Sequence, residues 1–144
     1  MSKETPSHRD AYRHFQTIPT RWMDNDVYGH VNNVIHYSYF DTVVNQYLIE
    51  CGALDIERSA VVGLVVETGC QYFAPIAFPD TVSAGLRVAK IGSSSIRYEI
   101  GIFRNAEQVA SAQGFFRHVY VDRATRRATP LPAELRAAAE RIRI

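Results

Sequence analysis

Cysteine is scarce in this chain, with two in 144 residues, Cys51 and Cys70. Neither belongs to a Cys-x-x-Cys pair or stands at ligand spacing from a histidine, so no metal site is expected. Long apolar runs are missing as well, and nothing approaches the roughly 20 residues that cross a bilayer. The N-terminus is polar and lacks the apolar stretch of a secretory leader. These absences point to a cytoplasmic protein without a membrane partner, its cysteines reduced and serving as small core residues. An excess of one charge is lacking too: 16 Lys and Arg face 15 Asp and Glu, a net +1. A nucleic-acid-binding domain normally carries a strongly basic face, so no nucleic-acid partner is expected. The charge is nonetheless unevenly spread. Residues 1–80 hold ten acids and five bases, and residues 81–144 hold five acids and eleven bases. A basic second half suits contact with a small phosphorylated ligand, and equally an ordinary solvated surface.

Several catalytic signatures are also absent. There is no Gly-x-Ser-x-Gly nucleophile elbow, no Gly-x-x-x-x-Gly-Lys phosphate loop and no Gly-x-Gly-x-x-Gly. His-x-x-Glu and His-x-x-x-His pairs do not occur. Serine hydrolases of that type, P-loop enzymes and the common metallohydrolases are thereby set aside, and no cofactor is implied.

What is present is an average globular composition, 47% hydrophobic and 22% charged, long enough for one domain with a real core. Residues 1–13 read as a flexible tail and residues 14–144 as a single domain. His14 to Trp22 is strand-compatible, and Pro19 within it favours an edge position. From Asn33 to about Cys51, Val34, Tyr37, Phe40, Val44, Tyr47, Leu48 and Cys51 recur at three- and four-residue steps, with Gly52 as a stop. Val, Ile and Tyr are indifferent helix formers, so burial must hold this helix, and its apolar residues spread over more than one face. Val61 to Tyr72, Thr81 to Ile91, Ile96 to Phe103 and Gln108 to Val121 then read as four antiparallel strands in a meander, with a bulge expected at Gly114. A short helix, Ala133 to Ile142, follows Pro130 and Pro132. The fold class is α+β, one sheet with a helix on one face.

The chemistry gathers at the strand-to-helix junction, Asp24-Asn-Asp26-Val-Tyr-Gly29-His30-Val-Asn32-Asn33. A carboxylate here can act as a nucleophile or as a base on water. Amides at the helix start, near Asn32 to Val34, can stabilise an oxyanion. Gly29 lets the backbone turn sharply or approach a ligand, and His30 can orient a substrate or move a proton. Taken singly, each is an ordinary cap or turn residue; their number at one junction favours a site. Ser93-Ser94-Ser95 is a polar hairpin tip that can also meet a phosphate.

These residues resemble a family. The junction, followed by Tyr37-x-x-Phe40-Asp41, is similar to the signature of the 4-hydroxybenzoyl-CoA thioesterase-like group of hotdog-fold acyl-CoA thioesterases. Gln71-Tyr72-Phe73-Ala-Pro75 with Pro79-Asp80, and Lys90-Ile-Gly92-Ser-Ser-Ser95, support it more weakly. The resemblance covers roughly Phe15 to Val121. It implies a hotdog fold, a sheet wrapped around the Asn33–Cys51 helix. It implies a homodimer or homotetramer with active sites at the subunit interface, and hydrolysis of an acyl-CoA thioester without a cofactor. The family's catalytic carboxylate falls on Asp26, and the polarising amide on Asn33. Asp41 matches a position where the family keeps an acid near the site. Asp24 is left as a structural acid.

On that resemblance Asp26, Asn33 and His30 form the catalytic set. Gly29, Asn32, Tyr37, Asp41, Ser94 and Ser95 form the substrate-binding set. Relatives often carry basic residues in the hairpin where this chain has serines, so Arg117, Arg126 or Arg127 are alternatives for the nucleotide end. The acyl group could also ride on a carrier protein, because plant-type acyl-carrier-protein thioesterases share a similar string. A hydratase on the same fold and a non-catalytic acyl-CoA-binding module are the rival readings.

Overall fold

A computed structural model describes residues 5–144. Five strands and two helices follow in the order β1 (His14–Pro19), α1 (Asn33–Glu50), β2 (Val61–Tyr72), β3 (Thr81–Ile91), β4 (Ser95–Arg104), β5 (Ala112–Asp122) and α2 (Ala133–Arg141). The strands form one antiparallel sheet in the order β1-β3-β4-β5-β2. Only β3, β4 and β5 make the expected meander. β2 pairs with β5 at the far edge and not with β3, which corrects the four-strand order read from the sequence. The reason is local. Gly92–Ser94 closes a tight β3–β4 turn, whereas segment 73–80 after β2 has two prolines and no hairpin chemistry. That segment instead runs back beneath the start of α1.

Period-two patterning decides the faces. Val82, Ala84, Leu86 and Val88 of β3 and Ile96, Tyr98, Ile100 and Ile102 of β4 are fully buried, all pointing at α1. From the helix, Phe40, Val43, Val44 and Leu48 meet them. Full burial of a side chain of this size contributes about 1.5–3 kcal/mol. Phe40 sits on Gly114. A β-carbon there would collide with the Gly69 carbonyl and lie 2.6 Å from the Phe40 ring. Gly114 is therefore a close-approach site, not a bulge. The register breaks fall instead at Val65/Glu67 and Val88/Lys90.

Two further details concern α1 and the N-terminal segment. The buried residues of α1 are His36, Tyr39, Phe40, Val43, Val44, Tyr47 and Leu48, a single stripe. Val34 and Ile49 on the other side are exposed, so one chain covers the helix on one face only. Of the expected tail, residues 1–4 lie outside the described residues, and the part from Arg9 onward makes contacts with the sheet. Arg9 donates to Ser83 Oγ and to the Asn105 and Glu107 carbonyls at 2.7–2.9 Å. Tyr12 is buried with Phe103 and Ala110 on the outer sheet face. It packs where Gly85 and Gly101 leave room for its ring.

Candidate active site

The junction between β1 and α1 is built on Asp24. This carboxylate is 1% exposed. One oxygen accepts from the Arg21 amide and the Tyr39 hydroxyl, both at 2.9 Å. The other accepts from the Arg21 guanidinium at 2.9–3.0 Å. Burial pushes its pKa up, but the bonds from Arg21 and Tyr39 outweigh that and hold it below the usual carboxylate range. Asp24 thus ties the loop to α1 and has no free lone pair directed at a substrate. Its carbonyl also accepts from the Asn32 amide at 2.9 Å.

Asp26, two residues on, is treated differently. Its amide donates to the His30 carbonyl at 2.9 Å and its carbonyl accepts from Gly29 at 3.0 Å. Gly29 has φ +83°, the left-handed conformation that closes this turn. One Asp26 carboxylate oxygen accepts from the Tyr28 amide at 2.9 Å, and the other has no partner among the described residues. Val27 and Tyr28 form the tip, 96% and 84% exposed. His30 is exposed beside it.

The helix start completes the group. Asn32 is the N-cap, its side chain accepting from the Val34 amide at 3.1 Å. Asn33 is the first residue of α1, and its amide has no intrahelical acceptor by geometry. Its carbonyl accepts from the Tyr72 hydroxyl at 3.0 Å, which joins the end of β2 to the site. The 73–80 segment supports the junction from below: Val31 donates to the Ile76 carbonyl and Phe78 to Asn25 Oδ1.

The sequence-derived candidates therefore divide. Asp26, Gly29 and His30 share one turn, and Asn32 and Asn33 form the helix start that follows it. Tyr37 is half-buried on the first turns of α1, edge-on to Phe40 at 5.7 Å. Asp41 stands two turns beyond Asn33, about 12 Å along the helix axis, on the solvent side, where partial desolvation of its carboxylate raises its pKa. Ser94 and Ser95 lie at the opposite end of the sheet. Ser95 pairs with Val119, whereas Tyr72 pairs with Ala112, seven residues or about 24 Å away along β5. One chain does not bring Asp41, Ser94 or Ser95 to Asp26.

Two residues of the junction, Arg21 and His36, were given no role by the sequence reading. Arg21 and Tyr39 hold Asp24, and the signal was an Arg three residues before it. His36 is 4% exposed, its ring edge-on to Tyr72 at 5.1 Å and to Tyr39 at 5.9 Å. Burial lowers its pKa to about 4, so it is neutral near pH 7, and its Nδ1 has no partner among the described residues. A polar residue inside the buried stripe was the available clue.

A half-buried carboxylate with a free oxygen thus lies on the turn that leads to an unpaired helix-start amide. That combination can attack, or direct water at, a carbonyl that the amide polarises. The profile of the Thioesterase-like superfamily matches residues 20–139, a span that contains the whole junction. The chain belongs to the thioesterase-like superfamily. The PA5185 protein from Pseudomonas aeruginosa strain PAO1 is 51% identical in sequence, with 97% of each chain covered and a TM-score of 0.94. The DHNA-CoA thioesterase from Staphylococcus aureus shares the fold at 19% identity, with 88% of this chain and 86% of that chain covered and a TM-score of 0.77. The YsmA protein of Bacillus subtilis strain 168 is 23% identical over 88 residues, which is 61% of this chain and 59% of that protein. The match thus spans less than two thirds of that curated relative. The sheet wrapped on α1 is the hotdog fold of this thioesterase superfamily. No helix among the described residues is long and apolar enough to cross a membrane.

Proposed function

We propose that the protein hydrolyses an acyl-CoA thioester to the free acid and CoA. The observation that carries this is the free carboxylate oxygen of Asp26, on the turn that leads into α1, together with the unpaired Asn33 amide at the helix start. Asp26 either draws a proton from water as that water adds to the carbonyl, or adds to the carbonyl itself before water releases the acid. In both cases the carbonyl oxygen takes up negative charge at the Asn33 amide. With water as nucleophile, the carbon–sulfur bond then breaks and the thiolate takes the proton that water gave up; with Asp26 as nucleophile, the thiolate leaves an Asp26 mixed anhydride, and the water that opens it to the free acid supplies the thiolate's proton. A single amide so placed contributes about 3 kcal/mol. His30 and Asn32 shape the turn, and Gly29 lets the backbone approach the substrate. The two half-buried free thiols suit a reducing cytoplasm.

The active unit in this reading is at least a homodimer. β2 is an edge strand of twelve residues with Leu64, Val65 and Val66 exposed, and a long apolar edge needs cover. A second copy along β2 would also cover the bare face of α1. It would bring Asp41 and the Ser94–Ser95 end of one copy toward the Asp26 junction of the other, uniting the candidates that one chain keeps apart.

The test is release of free thiol from a panel of acyl-CoA and acyl-carrier-protein thioesters. Asp26→Asn is expected to lower kcat by about 10²-fold or more while melting like wild type. A folded Asp26→Asn variant at the wild-type rate removes Asp26 from the chemistry. A wild type that cleaves neither kind of thioester overturns the hydrolase reading, and tight acyl-CoA binding without turnover would then favour a binding module.

A further inference from the structure

A groove of about 440 Å³ lies on the outer face of the sheet, opposite the face that packs on α1. Its floor is one cross-strand row: Arg87 of β3, Glu99 of β4, Phe115 of β5 and Gly69 of β2. Period-two alternation puts Arg97, two residues before Glu99, on the same face. The N-terminal segment closes one side, where the Ser7 amide donates to Gln113 Oε1 at 2.7 Å.

The two arginines of the groove differ. Every nitrogen of Arg87 has an acceptor. Its Nε and Nη2 donate to Glu99 Oε1 at 2.9 and 2.8 Å, and its Nη1 donates to the Ala11 carbonyl at 3.2 Å. Of Arg97, only Nε reaches a carboxylate, Glu99 Oε2 at 3.5 Å. Its two terminal nitrogens have no partner among the described residues. The Arg97 Cζ lies 3.9 Å from the centre of the Phe115 ring, which props the guanidinium in place. Gly69 makes room for that ring, since a β-carbon there would lie 2.9 Å from Phe115 Cε1. The surroundings are cationic. Lys90 and Arg117 stand opposite Arg97 on the neighbouring strands, and like charges so placed repel. Glu67 meets Arg117 at 3.4 Å, and no acid meets Lys90 among the described residues.

An anion at the open edge of Arg97 relieves that repulsion. A carboxylate matches the edge, two coplanar oxygens against two parallel N–H groups. Two guanidiniums and one carboxylate line the groove, which leaves one positive charge for one negative. A phosphate would bring a third oxygen and a second charge up to Glu99. We propose that this groove is an effector site for a small organic carboxylate. Its carboxylate takes the terminal nitrogens of Arg97, and its body lies along Phe115 toward Gln71. Gln71 immediately precedes Tyr72, whose hydroxyl fixes the Asn33 carbonyl. A ligand against Gln71 therefore acts on the helix start. That effect on turnover rests on the thioesterase reading, whereas the binding does not.

The experiment titrates the protein with benzoate, benzamide and phenyl phosphate and follows the Arg97 Nε–H and Phe115 ring signals by NMR. Benzoate is expected to shift both to saturation, benzamide to shift neither, and phenyl phosphate to bind more weakly than benzoate. Arg97→Gln, melting like wild type, is expected to raise the benzoate Kd by about ten-fold or more. Arg97→Lys, which keeps the charge and loses the two-pronged edge, should weaken binding as well. Asp26→Asn should leave the Kd unchanged, which separates the groove from product binding at the junction. In thiol release, benzoate is expected to lower wild-type kcat by about two-fold or more and to leave that of Arg97→Gln unchanged. No benzoate shift, an equal shift by benzamide, tighter binding of phenyl phosphate, or a Kd that survives in both Arg97 variants overturns the site. Binding without a change in kcat overturns its effector role. If no thioester is cleaved, the hydrolase reading falls, and benzoate binding that depends on Arg97 still upholds the carboxylate site.

Discussion

The two edges of the sheet are finished differently. β1 is six residues long and ends on Pro19, which cannot extend a ladder. Segment 9–12 packs against the outer face beside it, with Tyr12 buried against Phe103 and edge-on to Phe15. β2 is twice as long, carries Leu64, Val65 and Val66 into solvent, and has no neighbour beyond β5 among the described residues. A short, proline-stopped edge resists pairing, and a long apolar one invites it. The candidate site lies on the inviting side: the Tyr72 hydroxyl, at the end of β2, donates to the carbonyl of the first residue of α1. In the proposed dimer, β1 needs no further partner, and the site is completed where a second copy covers β2.

The comparison can be broken most directly with a charge on each edge. Val65→Asp on β2 is expected to shift the mass seen by light scattering to that of a monomer and to lower kcat/KM by at least about 10²-fold. Thr17→Asp on β1 is expected to leave the mass unchanged. Equal behaviour of the two variants would erase the distinction.

Acid should loosen the β2 side next. His36 touches Tyr72, and His118 pairs in register with Val65. Burial depresses both to about 4, against about 6.5 in an unfolded chain. Between those values the unfolded state binds more protons than the folded state, so stability falls as pH drops from about 6.5 toward 4 and is fully present above 6.5. The loss between pH 7 and pH 5 is expected to be about 2 kcal/mol per histidine. Urea midpoints across this range check it, and His36→Phe should flatten the profile.

Asp24→Asn should cost about 2 kcal/mol at pH 7, because Tyr39 and Arg21 lose their carboxylate and Arg21 is mostly exposed. The sign with pH follows from a depressed folded pKa. The carboxylate's contribution is present above the unfolded value of about 3.9 and is lost as pH falls through the folded one. Asp24→Asn should therefore narrow its gap to wild type only in strong acid, as read by urea unfolding at pH 3 against pH 7. The smallest effect expected is that of Asn32→Ala, about 1 kcal/mol from loss of the N-cap, measurable in the same unfolding series.

Much of the fold was legible in the sequence. Val61–Tyr72 and Thr81–Ile91 were read with the bounds the structure has, because alternation and β-branching are local properties. A cap at Asn32 or Asn33, a helix start at about Asn33 and the Gly52 stop followed from backbone chemistry for the same reason, and the structure puts the cap on Asn32. The strand order was not legible. β2 reaches β5 only because α1 and segment 73–80 carry the chain across the sheet and back, and no local pattern encodes such a crossing.

The two acids of the junction mark the same boundary. That Asp24 and Asp26 stand two apart before a helix is written in the sequence. Which one is consumed by structure depended on where Tyr39, fifteen residues later, and the Arg21 side chain come to rest. Tertiary packing buries Asp24 under those donors and leaves one oxygen of Asp26 open. Residue type and spacing determined what chemistry the chain carries. Only the three-dimensional arrangement decided which carboxylate is free to perform it, because burial and donor geometry are properties of neighbours that sequence order does not reveal.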